Sequence, residues 1–105
     1  MATAYAISKY YNITSDLTKE LITEAEGVNA RSIIFCNKNS THCTVDLYVE
    51  KALTGKFYIF KDMMLSGNDT IERHLNLALG VNWFGLFVKI NKGSGITPAV
   101  DIIIK

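Results

Sequence analysis

A chain of 105 residues, 49% of them hydrophobic, holds enough for one domain with one core. A net charge of +1 gives no electrostatic case for nucleic acid or an anionic membrane. Two cysteines are too few for a disulfide framework, no run nears the ~18 apolar residues of a membrane span, and the opening MATAYAISKYYNIT lacks the features of a signal peptide, so synthesis in a reducing cytoplasm is expected.

Tyr5–Thr14 is aromatic and β-branched and reads as a first strand, broken at Ser15-Asp16. Leu17–Ala25 fits either a short helical stripe (Leu17, Leu21, Ile22, Ala25) or an alternating strand. The strand is preferred, because a helix of two turns would be marginal alone. Arg31–Cys36 and Thr44–Glu50 read as two strands of a hairpin around the polar turn Asn37–Thr41. In the second of them Val45, Leu47 and Val49 alternate with Thr44, Asp46, Tyr48 and Glu50, the mark of a half-buried strand. Lys56–Leu65 sets Phe57, Ile59 and Lys61 against Tyr58, Phe60 and Asp62. Ser66-Gly67-Asn68-Asp69 is a turn, since Gly and Asn tolerate left-handed backbone. Thr70–Leu79 alternates again, Trp83–Ile90 is a dense apolar strand with Gly85 marking a bulge or a close approach, and Ala99–Lys105 closes the chain. The sum is an all-β, antiparallel, jelly-roll-like sandwich of about eight strands over residues 15–105, preceded by an N-terminal arm or edge strand over residues 1–14.

Four segments resemble small β-sandwich virion structural proteins of tailed bacteriophages: RSIIFCN at Arg31–Asn37, TVDLYV at Thr44–Val49, FYIFKDMMLSGNDTI at Phe57–Ile71 and VDIIIK at Val100–Lys105. The resemblance covers about residues 17 to 104 as a pattern of strands and turns. It implies a non-enzymatic building block of the particle, in the head, neck or tail, made in the host cytoplasm and partnered by copies of itself and by other virion proteins.

Chemistry is sparse. Cys36, His42 and Cys43 surround one turn and His74 lies elsewhere, but structural zinc needs four ligands with tight cysteine spacing, so no metal is expected. A Cys36–Cys43 bridge is conceivable only if the two strands place them opposite each other. Asp46, Glu50, Asp62, Asp69 and Glu72 lie on polar faces or turns, and no nucleophile elbow or phosphate loop is present, so neither catalysis nor a cofactor is expected. Gly93-Ser94-Gly95 is a loop, and the Asn-x-Ser/Thr triplets at Asn12, Asn39 and Asn68 are turn chemistry. Tyr48, Tyr58 and Phe60 could share an outward face, but no ordered aromatic platform is expected of them.

The expected function is therefore assembly. Strands such as Ile102-Ile103-Ile104 carry apolar side chains on both faces, and one face would meet water unless a neighbour covered it. Tyr5, Tyr10, Tyr11, Trp83 and Phe84 are the candidate interface residues, since aromatic anchors dominate interfaces. The alternative is a carbohydrate- or ligand-binding module at the host surface, and an exposed aromatic platform would favour it.

Overall fold

Where the sequence alternates, the chain is extended. The strands are β1 (Lys9–Ile13), β2 (Thr18–Ile22), β3 (Val28–Asn37), β4 (Cys43–Lys51), β5 (Gly55–Leu65), β6 (Thr70–Leu79), β7 (Gly85–Asn91) and β8 (Val100–Ile104). This computed structural model describes residues 9–15, 18–23, 28–51, 55–79, 85–93 and 95–105, with the side chains of 28, 29 and 76–79 left aside. Within the ambiguous Leu17–Ala25 stretch, Thr18–Ile22 is strand: β2 takes its backbone partners from β7, which a two-turn helix could not match.

The strands form two four-stranded sheets. Sheet A has the order β1-β8-β3-β6 and sheet B the order β2-β7-β4-β5, and every pairing is antiparallel. The pairs β1·β8, β2·β7, β3·β6 and β4·β5 are nested, as in one long hairpin with β4–β5 at its tip. Rolling that ribbon up adds β3·β8 and β4·β7 and gives the eight-stranded jelly roll.

The roll corrects one expectation. Residues 31–50 are not a hairpin, because β3 lies in sheet A and β4 in sheet B. Lys38–His42 is an arch across the sandwich, and β5 to β6 crosses back over Ser66–Asp69. Cys36 and Cys43 thus sit in different sheets as free thiols, and burial raises the Cys43 pKa.

The two arches stack. Asn37, only 1% exposed, lies between them: its Nδ2 donates towards Thr41 O (3.1 Å), Leu65 O (3.2 Å) and Ser66 O (3.3 Å). Its Oδ1 accepts the Asn39 N–H at 3.0 Å. Backbone bonds Asn37 N–H to Asp69 O and Asn68 N–H to Asn39 O tie arch to arch. Asn68, with φ 58°, takes the left-handed backbone that asparagine tolerates. Gly67 packs so close that a Cβ there would lie 2.0 Å from the Ser40 carbonyl oxygen. A third segment joins through Asn39 Nδ2 to Thr97 O and Lys38 N–H to Ala99 O.

Between the sheets the core is largely aliphatic, with Phe35 the largest side chain in it: Ile13, Ile22, Ile33, Phe35, Val45, Leu47, Leu86, Val88, Ile90, Ile102 and Ile104 are all buried. At the open side Tyr11 of β1 donates its hydroxyl to Leu21 O of β2, strapping the edge of sheet A to that of sheet B. Gly85 begins β7 beside the register shift between Glu20 and Ile22, where a Cβ would meet Ile22 O at 3.0 Å.

Asn37→Ala strands carbonyls in both arches, each costing about 1–3 kcal/mol when buried and unpartnered. Urea unfolding should show a loss of roughly 3 kcal/mol for it, and Gly67→Ala should also destabilise by forcing the arches apart. A change below about 0.5 kcal/mol for Asn37→Ala would mean that the arches close without the amide.

Candidate functional site

The outer face of sheet B carries side chains that the core does not use. Tyr48 on β4 stands opposite Phe87 on β7 and Tyr58 on β5, and Phe87 stands opposite Glu20 on β2. One row therefore crosses all four strands. The Tyr48 and Phe87 rings lie 5.5 Å apart with planes 5° from parallel, and Tyr58 tilts 50° against Tyr48 at 5.3 Å. Tyr48 is buried in the middle of the row, whereas Tyr58 is 46% exposed at its open end. Burial raises the Tyr48 pKa, with Lys56 pulling against it, so its phenol stays neutral and protonated.

Cations rim the row. Lys56 Nζ lies 4.9 Å from the Tyr48 ring centroid and Lys61 Nζ 5.4 Å from that of Tyr58. Glu50 faces Lys56 directly across the strands. The two form no ion pair, so among the described residues a carboxylate and an ammonium stand beside Tyr48 uncommitted to each other.

Asp46 organises the face from within. It is 3% exposed although it points away from the core. Its Oδ1 accepts the Asp62 N–H at 2.8 Å, its Oδ2 meets Lys61 Nζ at 3.5 Å, and the Asn91 side chain bonds it as well. Asp62 has φ 54°, and the β4–β5 register shifts twice, between Val45 and Leu47 and between Leu47 and Tyr48. The first bulge turns Phe60 towards the core and the second returns Tyr58 to the outside. Strict alternation puts Tyr58 and Phe60 on one face; the structure separates them. It supplies an ordered aromatic row all the same, with Phe87 in the place expected of Phe60.

Of the candidate interface residues, Tyr10 is 70% exposed on edge strand β1 and Tyr11 is the strap to Leu21. Tyr5, Trp83 and Phe84 lie outside the described residues. His42 and His74 are exposed at separate places, and among the described residues no three His, Cys, Asp or Glu side chains converge as metal ligands would. No helix among the described residues is long and apolar enough to cross a membrane. Sequence reasoning passed over Phe87, Lys56 and the burial of Asp46. The alternation in β7 points Phe87 outward, but nothing local tells which strand lies beside it.

No protein-family model matches the chain, and no curated protein does. Among solved structures it is similar to PirA, at 15% identity and a TM-score of 0.57 over 92% of this chain and 91% of that one. It is also similar to the Yersinia pseudotuberculosis-derived mitogen, at 13% identity and a TM-score of 0.52 over 94% and 83%. These likenesses support the β-sandwich fold and go no further; neither neighbour is described as a virion protein.

The Asp46 carboxyl sits below its ordinary value: burial alone would raise it, and the Asp62 N–H, the Asn91 side chain and the Lys61 ammonium outweigh that. A lowered folded pKa means that the bridge stabilises fully above the unfolded value of about 3.9 and fades as pH falls through the folded one. Urea midpoints taken from about pH 5 down to about pH 2 should fall less steeply for Asp46→Asn than for the parent chain. Parallel slopes would show that the carboxylate carries none of the acid sensitivity.

Proposed function

We propose that the protein is a non-catalytic carbohydrate-binding module and that the outer face of sheet B is its ligand surface. The observation that carries the reading is the half-exposed Tyr58 ring at the end of the stacked Phe87–Tyr48 row, with Glu50 and Lys56 next to Tyr48 and, among the described residues, not ion-paired with each other. A sugar ring presents an apolar C–H face to an aromatic ring and hydroxyls at its rim, and those need both an acceptor and a donor. Glu50 and Lys56 are that pair. The same mixture of charges is unfavourable for nucleic acid, whose phosphates call for clustered cations without carboxylates between them. The buried Tyr48 and the bridge at Asp46 hold the row in place before any ligand arrives, which lowers the entropy cost of binding. A host-surface glycan is the natural target of such a module.

One observation favours a second reading, a virion component that assembles through its own copies. Strand β5 is an eleven-residue edge of sheet B with Phe57 and Met64 both more than half exposed. The Asp62 bulge and the charged Lys56 and Lys61 interrupt this edge, as they do in sheets that avoid edge pairing. The binding reading therefore ranks first.

Tyr58→Ala should weaken binding to a glycan array or to immobilised polysaccharide by about tenfold or more, with the thermal midpoint little changed, since the ring is half exposed. Equal binding by parent and variant would remove sheet B from the ligand surface. Light scattering over a range of concentrations separates the readings: a discrete oligomer that Phe57→Lys dissolves would favour assembly, and a monomer throughout would favour the module.

A further inference from the structure

The face of sheet A that points away from the core holds a depression of about 280 Å³ lined by Tyr10, Tyr11 and Asn12 of β1 and Asp101, Ile102 and Ile103 of β8. Register places Tyr10 beside Ile103 and Asn12 beside Asp101. Ile102 is a core residue, so its side chain leaves the depression to its neighbours. The exposed Tyr10 ring and the partly buried Ile103 form the apolar part of the lining. The polar part of the lining is Asn12 and Asp101: Asn12 Nδ2 donates to Asp101 Oδ1, and Lys38 Nζ, from outside the lining, meets the same oxygen at 3.0 Å. Among the described residues nothing bonds Asp101 Oδ2 or Asn12 Oδ1. The depression thus offers two open acceptors, with Lys38 holding the Asp101 carboxylate from behind.

We propose that this depression is a second ligand subsite that seats one pyranose ring of a glycan, its C–H face on Tyr10 and its hydroxyls on Asp101 and Asn12. The size suits one ring and excludes a longer buried ligand. The carboxylate in the lining disfavours a phosphate or a sulfate, and a flat sheet from a second copy would bridge the hollow and leave its acceptors desolvated without partners. The subsite stands on residues distinct from the Tyr58 row and does not depend on that reading. The two sites lie on opposite outer faces of the sandwich, so one molecule holding both would link two glycans rather than grip one surface twice.

The test is an amide chemical-shift titration of the ¹⁵N-labelled chain with the methyl glycosides of glucose, galactose, mannose and N-acetylglucosamine. Saturable shifts confined to Tyr10–Asn12 and Asp101–Ile103, weakened about tenfold or more by Tyr10→Ala and also weakened by Asp101→Asn, are the expected result. Shifts at Tyr48, Tyr58 and Phe87 report the other face separately, so either site can fail while the other stands. Tyr10 is a surface side chain and its removal leaves the fold in place; Asp101→Asn keeps the shape and takes away only the charge. No saturable shift at β1 and β8 with any of the four glycosides would overturn the proposal. So would shifts there that follow protein concentration without sugar, since they would show a second copy covering the face.

Discussion

Closing a sandwich requires the chain to pass from one sheet to the other without leaving backbone polar groups stranded, and here the Asn37 amide meets that requirement. Two arches, Lys38–His42 and Ser66–Asp69, lie against each other at one end of the molecule. Their carbonyls turn inward where water is scarce, and one buried amide faces them from the last position of β3. An amide suits the place because it donates through Nδ2 while Oδ1 accepts from Asn39, which neither a carboxylate nor an aliphatic side chain does. Everything beyond the arches depends on their spacing, since β4, β5 and β6 all start or end there.

The nesting of the pairs has a kinetic side. Only β4·β5 joins neighbours in sequence through a short connection; the other pairings close long loops. Loop-closure entropy must be overcome before those contacts form, so the tip hairpin and the stacked arches are the natural early structure, with β1·β8 last. The Tyr11 hydroxyl bond to Leu21 then closes the open side between the outermost strands of the two sheets.

This nesting also explains what the sequence reveals and what it withholds. Strand existence is written in alternation, a local property, and β3 through β8 can be read directly; β2, where a helical stripe fits as well, is decided by its pairing with β7. Partner choice is a property of the rolled ribbon. Arg31–Glu50 looks like a hairpin because two strands flank a polar turn, and no local feature distinguishes a turn within a sheet from an arch between sheets. The same holds for the aromatic row. Tyr48 and Tyr58 are legible as outward residues, but Phe87 joins them only because β7 lies beside β4. Phe60 leaves them because Asp46 captures the Asp62 N–H and stabilises a left-handed residue, and a carboxylate on a polar face gives no sign of that in sequence.

A sandwich has two inner faces that must be apolar and two outer faces whose composition is free. Sheet B does not spend its outer face on simple solvation: Asp46 and Tyr48 are buried there, at the cost of stripping water from a carboxylate and a phenol. The aliphatic core supplies the fold, so this burial is not needed to form the sheet. What it does is fix positions. Lys61 is drawn to Asp46 and lies over Tyr58, and Tyr48 is wedged between Phe87 and Tyr58, so the half-exposed ring presents one orientation to solvent. A face meant only to meet water gains nothing from such order; a face that stacks a rigid ring does, because a preorganised partner loses less freedom on binding. This asymmetry, a costly ordered outer face on a sheet already stabilised from within, is the strongest physical reason to read sheet B as a recognition surface.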